Sequence, residues 1–119
     1  MNTRTFRITV RGVFDGLTDD QRAALLTDAD AHDVLRAAFT PEGTLTYDIA
    51  ARPAFVFRFS DTGEKEEDIL DATERAKTAA ETWLSERGYG FKSLRSSAED
   101  LSQAPLSKRQ RRAARSPEA

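Results

Sequence analysis

The chain has 119 residues, a formal net charge of −2, 39% hydrophobic residues and no cysteine. That length suits one domain with a core that needs no disulfide or structural metal, and the missing cysteines exclude thiolate nucleophiles, iron–sulfur clusters and cysteine-type zinc sites. No apolar run approaches the ~20 residues of a membrane span and the first residues form no apolar signal segment, so a soluble cytoplasmic protein with no membrane partner is expected.

Phe6, Ile8 and Val10 alternate with Thr5, Arg7, Thr9 and Arg11, which predicts a strand with one buried face. Gly12 and Asp15-Gly16 supply turn residues, and Thr18 stands three before Gln21 in the spacing of a capping box, so a helix is predicted from residue 19 to near residue 29. Asp19 and Asp20 suit the positive end of its dipole, and Leu17, Gln21, Ala24, Leu25 and Asp28 mark one side. Residues 34–39 read as a second strand with Leu35, Ala37 and Phe39 inward, joined as a hairpin through Pro41-Glu42-Gly43 to a strand over 44–49. In residues 54–59, Phe55, Phe57 and Phe59 share a face, the pattern of a central strand. Asp61-Thr62-Gly63 then turns into a long helix over 64–86, where Ile69, Thr73, Ala76, Ala80, Trp83 and Leu84 recur at helical spacing and Trp83 is the expected core anchor. Arg87-Gly88 stops that helix, and residues 91–97 form a last strand.

The order strand-helix-strand-strand-strand-helix-strand fits an α+β, ferredoxin-like two-layer sandwich, with the helices on one face of a mainly antiparallel sheet. The extra strand falls at residues 32–40, where the segmentation is least defined. The domain is expected to occupy residues 1–104. Residues 105–119 carry Lys108, Arg109, Arg111, Arg112 and Arg115 against Glu118, a balance of +4 that leaves −6 on the rest, and read as a basic, solvated tail.

If the phenylalanines face the helices, alternation puts Arg7, Arg11 and Arg58 on the open face, with Arg36 joining them; the side taken by Arg95 is open, because Phe91 and Leu94 compete for the core. Guanidinium groups bind carboxylate and phosphate in a planar fork, so the face suits an anionic small molecule or an acidic protein surface. Glu64, Glu66, Glu67 and Asp68 at the start of the second helix suit its dipole and could also meet that face in a homodimer. The sole histidine, His32, stands among Asp28, Asp30 and Asp33, a set too open for a designed metal site, and no metal or cofactor is expected. No Gly-x-Ser-x-Gly elbow presents a serine, and the aromatic octamer of an RNA-binding sheet is absent, with Pro53 and Arg58 at positions that need aromatics.

Phe6-Arg7-Ile8-Thr9-Val10-Arg11-Gly12-Val13-Phe14-Asp15-Gly16-Leu17-Thr18, Ala31-His32-Asp33-Val34-Leu35, Gly43-Thr44-Leu45-Thr46-Tyr47-Asp48 and Gly88-Tyr89-Gly90 resemble a small actinobacterial family filed as a domain of unknown function. The resemblance covers about residues 5–101 and implies no activity, ligand or catalytic residue. Arginine outnumbers lysine 14 to 4, which fits a high-GC coding sequence. The expected function is a non-enzymatic, dimeric binding or accessory module that uses the open arginine face. The alternatives are a small-molecule tailoring enzyme with His32 or Tyr47 as proton-transfer group, and nucleic-acid binding through the basic tail.

Overall fold

The computed structural model describes residues 3–101; the expected domain end at residue 104 and the tail over 105–119 lie outside the described residues. The elements run β1 (Arg4–Phe14), α1 (Asp19–Thr27), two 3-10 turns (Ala29–His32 and Val34–Arg36), β2 (Thr44–Tyr47), β3 (Ala54–Gly63), α2 (Asp68–Glu86) and β4 (Phe91–Asp100). The strands form one open sheet in the order β2-β3-β1-β4, and every neighbouring pair is antiparallel. Two helices and an antiparallel sheet in succession make the chain α+β.

The alternation in β1 and β3 does what it predicts. Phe6, Ile8, Val10 and Phe14 from β1 and Phe55, Phe57 and Phe59 from β3 are buried in one core. The helices cover that face only. α2 offers Ala72, Ala76, Ala80 and Leu84, four-residue spacing that keeps one stripe on the sheet, and alanines let the helix approach the phenylalanines closely. α1 contributes Leu25 alone as a buried side chain. Its start is the expected capping box: Gln21 N–H donates to Thr18 Oγ1 at 3.1 Å and Thr18 N–H to Gln21 Oε1 at 3.0 Å. Gln21 Nε2 also donates to Gly88 O at 2.9 Å, tying this end of α1 to the turn that follows α2.

Four expectations need correction. Residues 34–39 form no strand and no hairpin with β2, so the described sheet has four strands. Val34–Arg36 is a 3-10 turn because the Asp33 carboxylate accepts the Leu35 N–H at 2.8 Å and the Asp33 carbonyl accepts the Arg36 N–H at 2.8 Å. Leu35 then points to solvent, 91% exposed, rather than inward. Second, β3 runs on to Gly63, which pairs with Arg4, and α2 starts at Asp68 rather than at residue 64. Asp68 Oδ2 accepts the N–H groups of both Glu64 and Lys65 at 2.9 Å, which turns the acidic stretch outside the helix. Third, the last strand extends to Asp100 instead of residue 97. Fourth, Trp83 is half-buried at the edge of the core rather than an interior anchor.

Candidate binding site

On the open face the arginines of β1 and β3 come together. Arg58 lies opposite Thr9 and Val56 opposite Arg11, so Arg58 is diagonal to both Arg7 and Arg11. On the far side of β1, Arg95 lies opposite Arg11 and Glu99 opposite Arg7. The ambiguity at Arg95 is resolved by a bulge: the β1–β4 register shifts between Arg11 and Val13, and Ser93 takes a φ of 57°. Both Phe91 and Leu94 can therefore pack on the core while Arg95 returns to the open face. Gly12, opposite the irregularity, is the residue that signals it in the sequence; a Cβ there would meet Phe55 Cζ at 2.6 Å and Leu94 Cδ1 at 3.2 Å.

The arginines differ in what holds them. The Arg7 guanidinium sits 5.1 Å from the Phe39 ring centroid, a cation–π contact. Arg58 Nη1 donates to Thr46 Oγ1 at 2.8 Å. Arg11 and Arg95 face one another as a directly opposed like-charge pair, about 5.5 Å apart at Cα, an arrangement that costs stability. Among the described residues the ion pairs are Arg4–Asp100, Arg75–Asp61 and Lys92–Asp15, none of which neutralises Arg11 or Arg95. Arg36 is not on the sheet; the 3-10 turn carries it, exposed, outside the cluster.

The chain between α1 and β2 folds over the outer end of this face and encloses a groove of about 480 Å³. Ala54 and Val56 of β3, with Thr46 of β2, form its floor. Arg58 stands at one end and Asp48 and Arg52, at the β2–β3 connection, line the other, a run of ~13 Å along β3. The wall is Leu26, Asp30, Asp33 and Val34, and it includes apolar side chains left open to water, Val34 at 64% and Leu26 at 45% exposure. Asp33 and Asp48 also hold turns, accepting from Leu35 N–H at 2.8 Å and Ala51 N–H at 3.3 Å. None of the wall was legible as a site, because its residues come from segments that read separately as helix, loop and strand.

His32 and Tyr47, the proton-transfer candidates, lie side by side at the edge of β2. Their rings stack at 5.1 Å, and the His32 ring meets Trp83 edge-on at 6.5 Å. His32 Nδ1 is 3.0 Å from Leu45 O, and since a carbonyl only accepts, Nδ1 carries the proton in this bond. Tyr47 O–H donates to Leu25 O at 2.6 Å. Burial, helped by the charge of Asp28 and by Tyr89, pushes the Tyr47 phenol up to about 12. Tyr47 lines the groove, His32 does not, and each spends its functional hydrogen on a backbone carbonyl. Among the described residues no group of three or more His, Cys, Asp or Glu side chains is placed to hold a metal ion, and no helix is long and apolar enough to cross a membrane.

No curated protein and no solved structure matches the chain significantly. A family model matches residues 1–112, nearly all of it, in keeping with the resemblance that the strand and turn motifs carry. The chain belongs to DUF6204, a family of unknown function.

Proposed function

We propose that the chain is a non-enzymatic binding module on a ferredoxin-like scaffold, and that the groove ending at Arg58 holds a small molecule with an apolar body and one anionic group. The scaffold reading is supported by the order strand-helix-strand-strand-helix-strand and by β1 and β3 lying between β2 and β4. The observation that carries the ligand reading is the apolar floor of Ala54 and Val56 closed at one end by a guanidinium. Ligand sites are concave and mainly apolar, with a few polar groups that fix orientation. Here Arg58 is that group, preorganised by Thr46, with Arg11 diagonal to it on the same face. Asp30 and Asp33 repel an anion from the wall, and at the far end the charge of Asp48 offsets that of Arg52, so the ligand's charged end turns toward Arg58. The engaged Nδ1 of His32 and the high phenol of Tyr47 favour binding over proton transfer.

Titration with 8-anilinonaphthalene-1-sulfonate, an aromatic anion, tests this reading. Saturable fluorescence enhancement is expected, weakened about tenfold in Arg58→Gln, since a charge-assisted bond contributes ~1.5 kcal/mol or more. Circular dichroism confirms that the variant is folded. Equal affinity of the folded Arg58→Gln protein would refute the assignment.

A further inference from the structure

The two edges of the sheet are finished differently. At the β2 edge, His32 Nδ1–H bonds the Leu45 carbonyl, and Thr40 continues the pairing along β3 by bridging to Phe59. At the other edge β4, ten residues long, pairs with β1 on one side, and no described strand pairs with its outer side. Proteins protect such edges with proline, lysine, bulges or short length. β4 has its bulge at Ser93 and its lysine at Lys92, both near its start; the rest, Arg95 to Asp100, pairs with β1 in regular register and contains no proline.

We propose that this edge pairs with the β4 edge of a second copy of the chain, antiparallel and centred on Ser97, joining two sheets into one. The direction of the backbone groups supports it. Phe14 N–H donates to Pro53 O toward β3, and Asp15 N–H to Gly90 O toward β4. β1 is in unbroken register with β3, so its odd-numbered residues face β4 and bond to Arg95, Ser97 and Glu99. Ser96 and Ala98 consequently aim their N–H and C=O groups at the free edge. With the two-fold axis at Ser97, Ser96 falls opposite the other copy's Ala98 on each side of the axis, and each such pair exchanges both of its main-chain bonds. Both residues are small and exposed among the described residues, so their own side chains do not obstruct approach.

Charge selects the same register. Centring on Ser97 places Arg95 opposite the other copy's Glu99, again on both sides of the axis, in the non-hydrogen-bonded positions where side chains are closest. Neither residue forms an ion pair within the described residues, and Arg95 is opposed by Arg11 within its own copy. A neighbouring Glu99 relieves that repulsion. Sliding one strand by two residues moves the axis to Ser96 or Ala98 and sets Arg95 or Glu99 opposite Ser97, which loses both ion pairs, and sliding by four sets Arg95 against Arg95 or Glu99 against Glu99. Stacking the open faces of two copies would instead put arginine on arginine. The edge pairing is isologous and leaves the groove of each copy accessible.

Sedimentation velocity of the full chain from micromolar to millimolar concentration reads the outcome. The wild type is expected to dimerise. Arg95→Glu and Glu99→Arg each convert two attractions into two repulsions and raise the dimer dissociation constant by about tenfold or more. The double variant R95E/E99R restores attraction in the same register and recovers dimerisation. Ala98→Pro removes an edge-facing N–H without touching the β1 ladder and weakens the dimer too. A wild type that stays monomeric overturns the proposal, including one whose Ser96 and Ala98 amides are protected from exchange, which would assign the edge to another segment of the chain. A dimer insensitive to both charge reversals, or a double variant that fails to recover, overturns it equally.

Discussion

Replacing Tyr47 by phenylalanine removes one hydroxyl from a ring that stays packed against Phe14 and His32, which makes it a clean probe of how the edge of β2 is held. At neutral pH the loss is the 2.6 Å bond to Leu25 O. A buried carbonyl left without its donor costs about 1–2 kcal/mol. At alkaline pH the comparison changes sign. In the unfolded chain the phenol ionises near 10, whereas in the folded protein it holds its proton to about 12. Between those values the unfolded state has released a proton that the native state still binds, so wild-type stability falls as pH rises, by up to about 2–3 kcal/mol in total. The phenylalanine variant has no such loss. The wild-type advantage should therefore hold up to about pH 9, shrink through pH 10, and vanish or reverse at roughly pH 11. Urea unfolding followed by circular dichroism, run on both proteins at pH 8, 10 and 11, measures the difference while other lysines and tyrosines cancel. A wild-type advantage independent of pH would refute the assignment of the raised phenol to this burial.

Two further outcomes follow from local geometry. Gly43 ends the Thr40–Gly43 turn at a φ of 89°, with the Phe59 ring where a Cβ would stand, so Gly43→Ala should destabilise the fold by about 2–4 kcal/mol, measured by urea midpoint. Asp68 is held below the ordinary carboxylate range by the amides of Lys65 and Glu64, so its contribution is present above the unfolded value and disappears as pH falls through the lower folded one. Asp68→Asn should flatten the acid limb of the stability profile and speed amide exchange at Glu64 and Lys65, just before α2; an unchanged acid limb would contradict it.

Where burial is one-sided, the sequence is nearly explicit. β1 and β3 alternate because one face meets helices and the other meets water, and Arg7, Arg11 and Arg58 follow from that parity without further information. The capping box at Thr18 is equally legible, since its partners are three residues apart. Residues 34–39 mislead because Val34 and Leu35 are good strand formers, yet Asp33 bonds the local backbone more favourably than any neighbour strand could: the β3 edge there is taken by Thr40 and β2. Glu64 to Glu67 mislead in the opposite direction, as helix formers that a single Asp68 carboxylate winds into a turn. The placement of Arg95 depends on a bulge that Gly12 hints at and alternation cannot express. The groove is the least legible feature, because Val34, Asp48, Val56 and Arg58 become neighbours only after the chain has crossed its own sheet.

The Tyr47–His32 stack, with Trp83 meeting the imidazole edge-on, gives the molecule a built-in optical handle. Trp83 is its only tryptophan, with the Arg87 guanidinium 4.0 Å above the indole on one side and the His32 ring against its edge on another. Tyr47 at the groove wall touches that imidazole directly. A ligand that shifts the Tyr47 ring thus alters the surroundings of the sole indole two aromatic contacts away, and the native emission spectrum follows occupancy with no dye attached.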